Sequence, residues 1–321
     1  MPTIAEKRVF TTPDDVVQVL VATSLGVASV SVSGDIVGEF GIEHRCTARD
    51  VAARGDAVAV ATDEDVLVGD FAPTGHGPAV AVSVVGEVRS AADASGDPAS
   101  EIGGDVLAAA PDGTVSRLAG DAVPADDAWE PVGSVEDPHR MDGRLVAAGD
   151  GIHRLADGDL EYAGLDDARD VSDRGVPLAV TDEALYTLGN GWMRDLDAGG
   201  DGRDGGGMTD DGGGPGSDGR ADGEFRCVTA DAAGERAVAA TDAAVYERAD
   251  ATATEWTAHA ESGVVDAAVA GRHLVAVTGD GEARVYADGD WRGRTLGLPD
   301  VAAVAVPGAG TVTGTADPSP E

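Results

Sequence analysis

Apolar residues along the chain gather in short runs, each cut off by a turn bearing Gly, Asp or Pro. The stretch "DVAARGDAVAVATDEDVLVGD" (50–70) shows the pattern, and "DVSDRGVPLAVTDEALYTL" from Asp170 and "DAAGERAVAATDAAVYERA" from Asp231 repeat it. Seven anchors align on it: "VATSLGV" from Val21, "VATDEDV" from Val60, "AAPDGTV" from Ala109, "AAGDGIH" from Ala147, "AVTDEAL" from Ala179, "AATDAAV" from Ala239 and "AVTGDGE" from Ala276. Each sits between two apolar runs with a turn in the middle, which predicts an antiparallel hairpin. No run sustains the 3.6-residue period of an amphipathic helix, so helices are expected to be absent or minimal.

A third run follows several anchors and often opens on a large side chain. Trp129, Trp192, Trp256 and Trp291 all fall there, and Leu160 takes the place in "ADGDLEYAGL". Upstream of each anchor lies a fourth run rich in Ala and Val. The unit is therefore four short strands recurring at roughly 40 residues, the mark of propeller blades. Seven anchors predict an all-β, seven-bladed β-propeller of four-stranded antiparallel blades. Small residues suit the innermost strand, where blades converge on the axis; Trp suits the outer strand, where the wedge is wider. The first anchor lacks an inner strand of its own, while "PDVAAVAVPG" (299–308) is an inner strand with nothing after it. The C-terminal strand is expected to complete the N-terminal blade and remove an open sheet edge.

This organisation divides the chain into an N-terminal segment (1–15), one propeller domain (16–308) and a loose tail (309–321). Inside the domain, residues 197–224 are Gly- and Asp-rich with almost no apolar content, and are expected to form a disordered insertion between blades five and six.

Charge changes the picture next. The chain has 59 acidic against 22 basic residues, a formal net charge of −37, and Lys7 is its only lysine. Such self-repulsion opposes folding in dilute buffer, but in molar salt the Debye length falls to about 3 Å. The balance reads as a protein of a salt-rich, halophilic cytoplasm and argues against nucleic acid or anionic lipid as partners. Cys46 and Cys227 have no metal-site spacing and are expected to be reduced thiols. The N-terminus lacks the apolar stretch of a signal peptide, and no apolar run approaches the ~20 residues of a membrane span.

Two residue sets carry candidate chemistry. Counting back from the anchors places Asp50, Asp137, Asp170, Asp231 and Asp266 at similar offsets; Asp93 joins them if "GDPASEIGG" is an insertion, and Asp300 takes the place in the split blade. One such aspartate per blade fastens an interblade turn through backbone N–H groups, or makes a cation-attracting channel mouth from oxygen ligands. Basic residues flank the same strand starts: His44, Arg45, His139, Arg140, Arg169 and Arg226. They pair with carboxylates, or gather at one mouth to hold an anionic ligand. No metal, nucleophile-elbow or phosphate-loop motif occurs, so neither a cofactor nor a catalytic residue is expected.

The units "AAVYERADATATEWTAHA" and "GEARVYADGDWRGRTLG" resemble propeller repeats in which a T-x-x-G-[VL]-[YF]-R hairpin leads to an outer strand opening on Trp. The W-D and Kelch patterns are missing. With its acidic, lysine-poor composition, the chain resembles a haloarchaeal β-propeller family, a resemblance that implies fold and lineage and transfers no catalytic residue. Three functional classes stay open: a monomeric, non-catalytic scaffold for a protein partner, a sensor of a small anionic ligand or ion at the channel mouth, and a hydrolase or lyase with residues drawn from several blades.

Overall fold

The computed structural model describes residues 16–86, 104–120, 128–199, 220–251, 253 and 255–308. Their strands form seven sheets arranged as seven blades, each built through its first four strands, from inner to outer, by antiparallel neighbours. The innermost strands of blades 2 to 7 are Ala48–Arg54, Ala81–Val85, Pro138–Asp142, Asp170–Ser172, Phe225–Ala230 and Val264–Ala270. Every anchor forms the hairpin between the second and third strands of its blade, as with Val16–Thr23 and Gly26–Ser33 in blade 1. The described residues contain no helix.

Blade 1 takes its innermost strand from the far end of the chain. Ala303–Ala305 pairs antiparallel with Val16–Thr23, matching Leu20 to Ala305 and Ala22 to Ala303. The ring is thus closed by sheet pairing within one blade.

Alternation of apolar positions in two-sided sheets leaves each blade a face for each neighbour. Buried side chains accordingly form seven clusters, one at each blade-to-blade interface, rather than one central core. Near the axis they are mostly Ala and Val; Ala59, Ala61, Ala108, Ala147, Ala179 and Ala239 are fully buried. Larger groups sit further out. Trp129, Trp192 and Trp291 open outer strands, and Trp256 lies just before one. The glycine in the repeated hairpin also has a steric cause. At Gly26 and Gly151 the backbone has positive φ, and a Cβ would run into the carbonyl oxygen of His44 or Leu165, where the outer strand leaves its blade.

Two places depart from the regular unit. In blade 2 the outer strand shrinks to Ala72–Pro73. The Asp65 carboxylate takes over much of its role, accepting the N–H groups of Val66, Thr74, Gly75 and Gly77. In blade 5 the segment expected to be a disordered insertion is ordered at both described ends. Trp192–Gly199 is the fourth strand, and Arg220–Asp222 adds a fifth, parallel to it. The Gly/Asp-rich composition hid this because pairing here uses the backbone, with only Ala221 fully buried in the added strand. Residues 200–219, the N-terminal segment 1–15 and the tail 309–321 lie outside the described residues.

Candidate functional site: the central channel

Innermost strands expose one backbone edge to the channel, and edge N–H groups need acceptors. In blades 2, 5 and 7 an aspartate near the start of the strand supplies them. Asp50 accepts Val51 N at 2.9 Å and, across the blade junction, Val82 N at 3.0 Å. Asp170 does the same with Val171 N and Val228 N, and Asp266 with Ala267 N and Val304 N, all at 2.8 Å. Each carboxylate therefore joins its blade to the next: 2 to 3, 5 to 6, and 7 to the closing strand of blade 1.

The same level carries other residues in the remaining blades. Blade 4 places Arg140 there and blade 6 places Cys227, each at the bulge where Asp50 and Asp266 sit in their own sheets. Arg140 crosses the axis. Its Nη1 donates to Asp50 Oδ1 at 2.7 Å and lies 3.9 Å from Asp266 Oδ2, while Nη2 donates to the Ala302 carbonyl at 2.5 Å. One guanidinium ties blade 4 to blades 1, 2 and 7.

Three buried carboxyls face one arginine, so charge does not balance. Burial raises all three acids above their ordinary range, against the pull of Arg140 and the backbone N–H groups. Asp170 is pushed up to about 8, chiefly by burial and further by Asp266. Burial also lifts the Cys227 thiol well above its usual range, which makes it a poor nucleophile. A folded-state value above the unfolded one means the native state holds the extra proton between 3.8 and about 8. Stability from this residue is full below that window and falls as pH rises through it. Chemical-denaturation midpoints in constant molar KCl should therefore decline between pH 5 and 8, inside that window, and Asp170→Asn should flatten that slope; an unchanged slope would contradict the assignment.

The other aspartates of the sequence alignment do not occupy this level. Asp137 and Asp300 stand just before innermost strands with φ of 52° and 48°, a left-handed turn that Asp tolerates better than most residues. Asp137 meets His139 Nε2 at 3.2 Å and Asp300 accepts Ser24 Oγ at 2.9 Å. Asp231 lies past the opposite end of its strand and accepts Glu235 N. Asp93 lies outside the described residues. Counting failed because hairpin length varies: Asp50 pairs with Ala61, but Arg140 already pairs with Ala147.

Nor does the structure bring the six basic candidates together. Of these, Arg140 alone lines the channel cavity. Arg169 lies 3.7 Å from Asp182, and Arg226 3.9 Å from Glu224. His44 stacks on Phe71, and His139 Nδ1 meets the Ala168 carbonyl at 2.8 Å.

Sequence reasoning missed the far end of the channel. A cavity of about 80 Å³ runs from the Arg140 level to Asp142 and Arg174, which sit where innermost strands turn back. Arg174 Nη2 spans the channel to the Ala53 carbonyl at 2.7 Å. The available signal was an Arg-Gly pair in the first turn of two blades, Arg54-Gly55 and Arg174-Gly175. A half-buried acid–histidine pair exists elsewhere: Glu247 Oε2 is 3.0 Å from His259 Nε2 and Oε1 is 2.5 Å from Arg236 Nη2. The His259 bond, then Arg236, lower the Glu247 carboxyl to about 2, so it is an ion-pair anchor and a weak base. His259 packs on Tyr286, in the wedge between blades 6 and 7 and far out from the channel.

A family model described as HVO_0234-like, beta propeller, matches residues 3–213 and 207–307, nearly the whole chain. The chain belongs to this family. Solved structures similar to this member of the HVO_0234-like family include the computationally designed Ika8 protein, at 13% identity, TM-score 0.50 and 90% of each chain covered. The WD40 beta propeller domain of Doa1 matches at 15% identity and TM-score 0.51, covering 81% of this chain and 86% of that one. A protein from Lactobacillus plantarum matches at 12% identity and TM-score 0.51, covering 91% and 99%. At these identities the likeness shows the fold alone. Curated proteins provide no sequence match.

Proposed function

We propose that this propeller is a non-catalytic binding or assembly scaffold for a protein partner, acting as a monomer in a salt-rich cytoplasm. The observation that supports it best is the state of the channel. Arg140 and the latching aspartates spend their hydrogen bonds on the backbone and on one another, which makes the axis a brace. Neither the raised Cys227 thiol at the axis nor the anchored Glu247 far out from it is an activated nucleophile or base. A braced ring presents its loops as rigid faces, which lowers the ordering cost of binding. The surface charge of a −37 chain favours partners that tolerate or complement acid, and disfavours polyanions.

Affinity capture on the tagged full chain in molar KCl, followed by size-exclusion chromatography, tests this. A partner that co-elutes at fixed stoichiometry supports the scaffold. A chain that stays monomeric and turns over a small ester or glycoside, with the activity lost on mutating a channel residue, contradicts it.

A further inference from the structure

Asn190 is the only asparagine in the chain, and Gly191 follows it. The pair lies in the loop between the third and fourth strands of blade 5, Ala184–Leu188 and Trp192–Gly199. Asn-Gly is a strong hairpin-turn signal, so the local sequence accounts for the turn. It does not account for the amide. In the same turn the other blades use acid: Asp35 in blade 1, Asp70 in blade 2, Asp157 in blade 4 and Asp288 in blade 7.

The groups that would have to react are unhindered. Gly189, Asn190 and Gly191 are all exposed. The loop is held by Gly189 N donating to the Gly191 carbonyl and by Leu188 N donating to the Pro177 carbonyl, both at 2.9 Å. Among the described residues the Gly191 N–H donates to no acceptor and the Asn190 amide meets no partner. No atom lies within 4 Å of where a Cβ on Gly191 would stand, so nothing crowds its nitrogen.

We propose that Asn190 is a self-modification site, converted to aspartate and isoaspartate through a succinimide closed by the Gly191 nitrogen. That nitrogen gives its proton to hydroxide and attacks Asn190 Cγ. The Cγ–Nδ2 bond breaks, and ammonia leaves with a proton from water. Water then opens the ring at one of two carbonyl carbons. Breaking the new Cγ–N bond restores the backbone and leaves aspartate. Breaking the original peptide bond leaves isoaspartate, with the chain routed through the side chain. Water is the only co-reactant, and nothing is oxidised or reduced. The Asp-Gly turns of blades 4 and 7 react more slowly, because an ionised carboxylate resists attack. Either product adds a negative charge to the rim that also carries the turn before Pro177, a change that a docked protein would feel. The inference is independent of the scaffold reading, since the chemistry needs no partner.

Ageing the full chain in molar KCl at pH 6 and at pH 9 tests it, with trypsin digestion and mass spectrometry against an unaged sample. Trypsin releases residues 175–194 as a single peptide with Asn190 inside. That peptide should gain the mass difference between amide and acid and split into aspartyl and isoaspartyl forms, at a rate rising in proportion to hydroxide. Asn190→Gln should lose the conversion, because the longer side chain must close a larger ring. Gln18, the other side-chain amide of the chain, sits within Val16–Thr23 with its Oε1 accepting Ser29 Oγ at 3.0 Å, and should stay intact. Asn190→Asp should unfold in urea at the wild-type midpoint, since four other blades carry an acid in this turn. A free peptide of residues 186–193 serves as the clock. A folded chain that stays unchanged while this peptide converts overturns the proposal. So does aspartate without isoaspartate, which means direct hydrolysis, or a lowered midpoint in Asn190→Asp.

Discussion

A chain ending at Pro299 is expected to lose cooperative unfolding altogether. The deleted strand Ala303–Ala305 is the innermost strand of blade 1, and its removal bares the edge of Val16–Thr23 around Leu20–Ala22. Val301, Val304 and Val306 belong to the apolar cluster between blades 7 and 1, the most extensive of the seven. Burying three valines contributes about 5–9 kcal/mol, comparable with the whole stability of an ordinary domain at about 5–15 kcal/mol. The deletion also orphans two channel groups. Asp266 loses the Val304 N–H that joins blade 7 to blade 1, and Arg140 loses the Ala302 carbonyl. Near-ultraviolet circular dichroism during urea titration in molar KCl reads the outcome. A chain ending at Gly308 should keep the wild-type transition, and the shorter chain should show a featureless, sloping signal. A sharp transition at Pro299 would mean the ring holds without its closing strand.

Replacing Arg140 carries the second-largest effect. Arg140→Met removes the single cation among Asp50, Asp170 and Asp266 and leaves its neighbours' charges uncompensated, a change that costs about 3–5 kcal/mol when a buried pair is broken. The sign with pH follows from the acids. Arg140 lowers all three carboxyls, so without it they rise further above the carboxylate range. The variant should therefore be weakest at pH 9 and recover toward wild type near pH 5, where the folded acids hold their protons. Urea midpoints at both pH values, compared with wild type, measure the gap. Arg140→Lys should narrow it at pH 9 by restoring charge, without restoring the two-way reach of the guanidinium. A gap of equal size at both pH values would show that packing, and not charge, is what Arg140 supplies.

The ring itself was legible in the sequence because a period survives local noise. The hairpin around Thr62 and that around Thr241 share spacing, turn chemistry and apolar flanks, and a missing inner strand at one end matched a surplus one at the other. The channel was half legible. Asp50, Asp170 and Asp266 stood out as repeated acids, but the alignment carried Asp137 and Asp231 along with them. A pleat added to or removed from a hairpin leaves the pattern intact and shifts the count. Arg140 was read as a member of a basic flank, since no sequence rule says that one side chain of six will cross an axis. Arg174 and the Ala53 carbonyl are far apart in the chain and meet only because blades 2 and 5 face each other across the ring.

Blade 1 also sets an order in time. Among the described strands, Ala303–Ala305 is the last to leave the ribosome, while its partner Val16–Thr23 is the first. Throughout synthesis the stack of blades therefore has a bare sheet edge, with the apolar wall that blade 7 will later cover. Five junctions can form completely as the chain emerges, but the two that flank blade 1 wait for the final strand, whose Ala303 and Ala305 pack toward blade 2 and whose Val304 and Val306 pack toward blade 7. The Asp266–Val304 bond is thus a late event, and any cell that makes this protein must keep an open, strongly acidic ring soluble until it closes.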